Sequence, residues 1–89
     1  MFLIEDERHA EPQGEFESLN AAIQELKNRS SIPWNESPNA APCTNSENCG
    51  RSYEIVEYDT TSVPRKEISR ALYLEIDSSG AKWHLPIED

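Results

Sequence analysis

Prolines at positions 33, 38 and 42 set the strongest limit on what this chain can build. Each lacks a backbone N–H and fixes its own φ, so neither a helix nor a paired strand runs easily through residues 30–48. A structureless stretch of that length in a small domain is either functional or disordered. Ile32 and Trp34 argue for order, because one tryptophan can bury about 150–250 Å². The expectation is a single domain over residues 1–89 with a long, ordered, proline-rich loop at 30–48.

The segments outside that loop must supply the core, and the core is thin. Hydrophobic residues make up 36% of the 89, below the ~45–50% usual for globular chains even when glycine is allowed for. A chain this short buries only about 60–65% of the surface it exposes when unfolded. Leu19, Ala22, Ile23 and Leu26 stand at i, i+3, i+4 and i+7, which predicts an amphipathic helix over about 18–29. Ser18 is its N-cap candidate, and Ser30, Ser31 and Pro33 close it.

Strand signals lie on both sides of the helix. Phe2 to Glu7 reads as a first strand, and His9 to Gly14, with Pro12 and Gly14, reads as a turn. Phe16 either adds a short return strand or packs beneath the helix. Cys49 to Asp59 is the best central strand, rich in aromatic and β-branched residues. Tyr53 and Ile55 fall on one face and Val56 and Tyr58 on the other, so the strand is covered on both sides or bulges near Ile55–Val56. From Glu67 to Ile76, alternation points Ile68, Leu72, Leu74 and Ile76 inward and Tyr73 outward, with Arg70 the one break. Asp77-Ser78-Ser79-Gly80 is a hairpin turn, followed by a last strand through Ala81, Trp83 and Leu85. The predicted fold class is α+β in the order β-α-β-β-β. One helix packs on a small, mainly antiparallel sheet with a C-terminal three-stranded meander at about 50–85.

Seventeen acidic residues against eight basic ones give a net charge of −9. Such a surface repels phosphate backbones and anionic membranes, so neither direct nucleic-acid binding nor membrane binding is expected. No apolar run approaches the ~20 residues of a membrane helix. Met1–Ile4 is followed at once by Glu5, Asp6 and Glu7, unlike a secretory leader. A cytoplasmic, reducing setting is therefore the expectation.

Cys43 and Cys49 are the most conspicuous pair for chemistry. They read as two reduced thiols, as a disulfide contributing on the order of 2 kcal/mol, or as part of a metal site completed by His84 and His9. Zinc ligands within a pair usually stand closer in sequence. The sequence carries no phosphate-binding loop, no nucleophile elbow and no dinucleotide fingerprint. The chain is accordingly expected to be no enzyme and to need no cofactor. Trp34, Tyr58 and Tyr73 are the candidate interaction residues, with Tyr58 and Tyr73 forming an exposed patch. These features favour a small acidic protein-interaction or self-association module, acting on a protein partner or as a homodimer. One alternative is an inhibitor, immunity or nucleic-acid-mimic protein, which needs the carboxylates of residues 5–17 and 54–59 on one face. Another is a small thiol or metal-binding protein using Cys43 and Cys49.

Overall fold

The computed structural model describes residues 1–40 and 50–84. Its strands are β1 (Phe2–Asp6), β2 (Glu11–Phe16), β3 (Gly50–Asp59), β4 (Lys66–Asp77) and β5 (Gly80–Trp83); one helix, α1 (Leu19–Ser30), links β2 to β3. The class is α+β: α1 lies on one face of a five-stranded sheet, all antiparallel, in the order β2-β1-β3-β4-β5. No helix among the described residues is long and apolar enough to cross a membrane.

The element order corrects the expected β-α-β-β-β, because residues 11–16 form a strand where the sequence suggested a turn. Pro12 and Gly14 are tolerated there because β2 is an edge strand whose outer side needs no ladder bonds. The pairing also shifts between Ile4 and Glu5, leaving Gln13 as an extra residue in β2. A bulge of this kind frees the extra residue from the ladder, and Gln13 uses that freedom to bond Arg29 of the helix.

The helix begins as its sequence implies. The Ser18 hydroxyl accepts from the Ala21 N–H at 3.1 Å, satisfying one of the unpaired donors of the first turn. Ala22 and Leu26 are fully buried and Ile23 half-buried, whereas Leu19 stays exposed at the entry to the helix. The buried helical residues meet Ile4 of β1, Tyr53 and Ile55 of β3, and Leu74 and Ile76 of β4. Phe2, Phe16, Trp34 and Trp83 pack around this cluster.

Two irregularities decide which way β4 faces. Its register against β3 shifts between Tyr53 and Glu54 and again between Glu57 and Tyr58, so Tyr73 and Ile68 are the extra residues. A bulge near Ile55–Val56 is one of two readings of the sequence; the shifts fall on either side of that point. Because period-two alternation breaks at Tyr73, Leu74 and Ile76 face the helix while Leu72 and Arg70 share the opposite face with Glu54 and Val56. Tyr73, expected outside, packs against the helix-side core. Ile68, expected inside, is 59% exposed.

The β4–β5 turn follows its sequence signature. Asp77 Oδ1 accepts from the backbone N–H and hydroxyl of Ser79, and Gly80 takes a φ of 116°. At the start of β3 the need for glycine is steric, since a Cβ on Gly50 would run into the Ile76 carbonyl and Asp77 of β4.

Candidate functional site

A polar cluster is buried between the sheet and the loop that follows α1. It is centred on Asp6, Arg51, Asn39 and Tyr53, all near-fully buried. Asp6 ends β1 beside Tyr53 of β3. Its Oδ1 accepts from the backbone N–H groups of Ser52 (3.0 Å) and Arg8 (3.1 Å), and its Oδ2 contacts Arg51 Nη1 (3.0 Å) and His9 Nδ1 (2.6 Å). Arg51 reaches onward, donating to the carbonyls of Asn39 (3.2 Å) and Ala40 (2.7 Å).

Asn39 holds residues 31–40 in place. Its Nδ2 donates to the carbonyls of Arg29 (2.9 Å) and Ile32 (2.8 Å), and its Oδ1 accepts from the Tyr53 hydroxyl at 2.9 Å. One amide thus closes the C-terminus of α1 and joins it to β3. The Arg29 guanidinium lies 5.2 Å from the centre of the Tyr53 ring, and it also bonds Glu25 (2.6 Å) and Gln13. Every buried side-chain polar atom among the described residues has a partner. This arrangement fixes the loop against the sheet.

Burial pushes the Tyr53 phenol above its usual 10.0, although the Arg29 charge partly offsets the rise. The folded state therefore keeps the proton to a higher pH than the unfolded chain does. Stability from this group is complete below pH 10 and falls as pH rises past that value. Urea midpoints measured from pH 8 to 11 should fall more steeply in the wild type than in Tyr53→Phe. Equal slopes would show that Tyr53 does not govern the alkaline transition.

The face of the sheet opposite α1 is plated with ion pairs. Arg70 bonds Glu54 (2.6 Å), Glu67 (2.8 Å) and Glu5 (3.3 Å). Arg65 contacts Glu15 at 3.3 Å and stands 5.5 Å over the Tyr58 ring, whose hydroxyl donates to Glu5. Arg8 pairs with Glu75 at 3.0 Å. Each of the five arginines of the chain thus contacts a carboxylate. On this face Val56 is fully buried with no second layer above it among the described residues, and the stems of Arg65 and Arg70 help cover it.

Two surface features remain. The first is the outer edge of β4. Strand β5 pairs with Leu74–Asp77, and the His84 N–H reaches the Tyr73 carbonyl at 2.9 Å; from Lys66 to Leu72 that edge meets no strand among the described residues. The Glu7 N–H bonds the Ser52 carbonyl and the Tyr58 N–H bonds the Met1 carbonyl, so the even residues of β3 turn their backbone toward β1. Alternation then turns Ile55 and Glu57 toward Ala71 and Ser69, and directs the backbone of Arg70 and Leu72 outward. The second feature is a groove of about 270 Å³ between the end of α1 and the β4–β5 turn, lined by residues that include Ser31, Ile32, Trp34, Ile76, Asp77 and Ala81.

The residues singled out from the sequence do not converge. Trp34 is half-buried in the groove wall, Tyr58 lies under Arg65 on the open face, and Tyr73 packs on the helix side, so the two tyrosines share no patch. His84 pairs with Glu75. Cys43 and Cys49 lie outside the described residues. Among the described residues no three His, Cys, Asp or Glu side chains are grouped to hold a metal ion. Asp6, Asn39 and Arg51 escaped sequence reasoning, because nothing in the local pattern marks a polar residue as one that folding will bury. No protein-family model matches the chain, and neither a curated protein nor a solved structure resembles it.

Proposed function

We propose that this protein is a small, non-enzymatic interaction module of a reducing cytoplasm, and that it associates with a second copy of itself through β4. The observation that carries this reading is the β4 edge from Lys66 to Leu72, with outward-turned backbone and an exposed Ile68. Such an edge is a template for strand addition. An antiparallel pair centred on Ser69 sets Ser69 against its counterpart and Ile68 against Arg70. Small Ser69 and Ala71 leave room for the approach, and the Ile68 bulge with Lys66 disfavours other registers.

The acidic-surface alternative has less support. Glu5 and Glu54 lie on the open face and Asp6 on the helix side, while Glu5, Asp6, Glu11, Glu15 and Glu54 all contact arginines. Light scattering after size exclusion should show the mass rising toward twice 10.1 kDa as concentration increases. Ser69→Asp, which opposes two like charges at the two-fold, should restore the monomer, and Ser69→Thr should not. A strict monomer at every concentration refutes the reading. So does a monomer whose Leu72 N–H is protected from exchange, which would mean that the edge is covered from within the chain.

A further inference from the structure

We infer that Ser69 is a phosphorylation site, and that a phosphate there holds the chain in its monomeric form. The inference rests on the β4 pairing proposed above and names what regulates it. Ser69 is exposed, on a stretch of β4 that meets no strand on its outer side among the described residues. Several other hydroxyls are already taken. Those of Ser30 and Ser31 bond the last carbonyls of α1, and those of Thr61 and Ser79 bond Asp59 and Asp77. The Ser69 hydroxyl makes no hydrogen bond among the described residues. Arg65 and Lys66 precede it in the chain, and charge patterns of this kind are what serine kinases read in a substrate. Period-two alternation alone would put Lys66 and Ser69 on opposite faces. The extra residue at Ile68 resets the phase, so Lys66, opposite Asp59, shares a face with Ser69, opposite Glu57. The folded edge therefore displays the hydroxyl and a cation together.

The step is an ordinary phosphoryl transfer. The Ser69 oxygen attacks the γ-phosphorus of a magnesium-bound nucleoside triphosphate supplied by the kinase. The bond from that phosphorus to the bridging oxygen breaks, the diphosphate leaves, and the hydroxyl proton passes to the kinase's catalytic aspartate. The product carries a charge of about −1.5 to −2 at neutral pH. In a β4 pair centred on Ser69 the two copies of this residue stand directly opposite, with Cβ atoms about 4.5–5.5 Å apart. Two phosphates then face each other at the two-fold. Glu57, across the ladder on the same face, adds to the repulsion. Arg70 is next along the strand, but it already bonds Glu5, Glu54 and Glu67 and offers little neutralisation. Because the pair covers Ser69, the kinase acts on the monomer, and the modification keeps it there.

The test treats the full chain, at a concentration where it is mainly monomeric, with magnesium ATP and a catalytic domain of the protein kinase C type. Mass spectrometry should place one phosphate on Ser69, and Lys66→Ala should be labelled several-fold more slowly. Light scattering of the labelled chain should show self-association weakened on the order of a hundredfold, since opposed like charges cost several kcal/mol. A phosphatase should restore it. No phosphate on Ser69, or a phosphate found only on chains that have lost the folded amide spectrum, overturns the inference. So does a chain labelled on Ser69 that still pairs, which leaves the β4 reading intact. A chain that is monomeric at every concentration before labelling refutes the β4 pairing itself, and this regulation with it.

Discussion

Asp6→Ala is expected to leave a large fraction of the protein unfolded at room temperature. The carboxylate is fully buried and meets four donors, two of them backbone N–H groups and one the buried guanidinium of Arg51. Removing it leaves that guanidinium without its main partner, and losing one side of a buried pair costs about 3–5 kcal/mol. Small domains are stable by only about 5–15 kcal/mol, and a thin core favours the lower end. Glu11, at 3.4 Å from Arg51 and partly exposed, compensates little. Urea titration followed by circular dichroism measures the loss. A change under about 1 kcal/mol would mean that water reaches Arg51 and that the site is less closed than its geometry indicates. Adding Arg51→Met to Asp6→Ala should recover part of the stability, because the orphaned charge is then gone.

The second large effect belongs to Asn39→Ala. This side chain makes three contacts, to the Arg29 carbonyl, which also accepts from the Ile32 N–H, to the Ile32 carbonyl and to the Tyr53 hydroxyl. Each buried group left unsatisfied costs roughly 1–3 kcal/mol. Unlike Asp6→Ala, the damage should be local first. Residues 31–40 should lose amide protection, and Trp34 emission should move to the red before the sheet melts. Asn39→Asp separates donor from acceptor: a carboxylate still accepts from Tyr53 but faces two carbonyls with no N–H to give. It should therefore be nearly as harmful as Asn39→Ala. Retained protection in either variant would show that the loop is held by Trp34 packing alone.

Both predictions concern residues that the sequence does not advertise. Asp6 looks like one of three consecutive acidic residues, and Asn39 like one polar residue among prolines. Their burial depends on partners 45 and 14 positions away, Arg51 and Tyr53. The Leu19–Leu26 pattern needed no such information. Its spacing alone defines a helix face, and Ser18 caps it as expected. What holds residues 31–40 was not legible from the sequence: side-chain amide and guanidinium groups bond the segment.

The β4 reading shows why alternation misleads. Ile68 through Ile76 gives a good inward row on paper, but the extra residues at Ile68 and Tyr73 each reset the phase. A bulge is a property of two strands in register, so one strand's sequence cannot reveal it. The same holds for Pro12 and Gly14, which bar a central strand but are admissible at an edge.

Local chemistry thus sufficed for what depends on neighbours along the chain: the helix and its cap, the Asp77–Gly80 turn, and the α+β class. The tertiary structure decided what depends on neighbours in space: the edge position of β2, the phase of β4, the buried Asp6–Arg51–Asn39–Tyr53 cluster and the groove beside Trp34. Periodicity and capping act over a few residues. Burial, register and charge pairing join segments tens of residues apart, and their energies exist only once those segments meet.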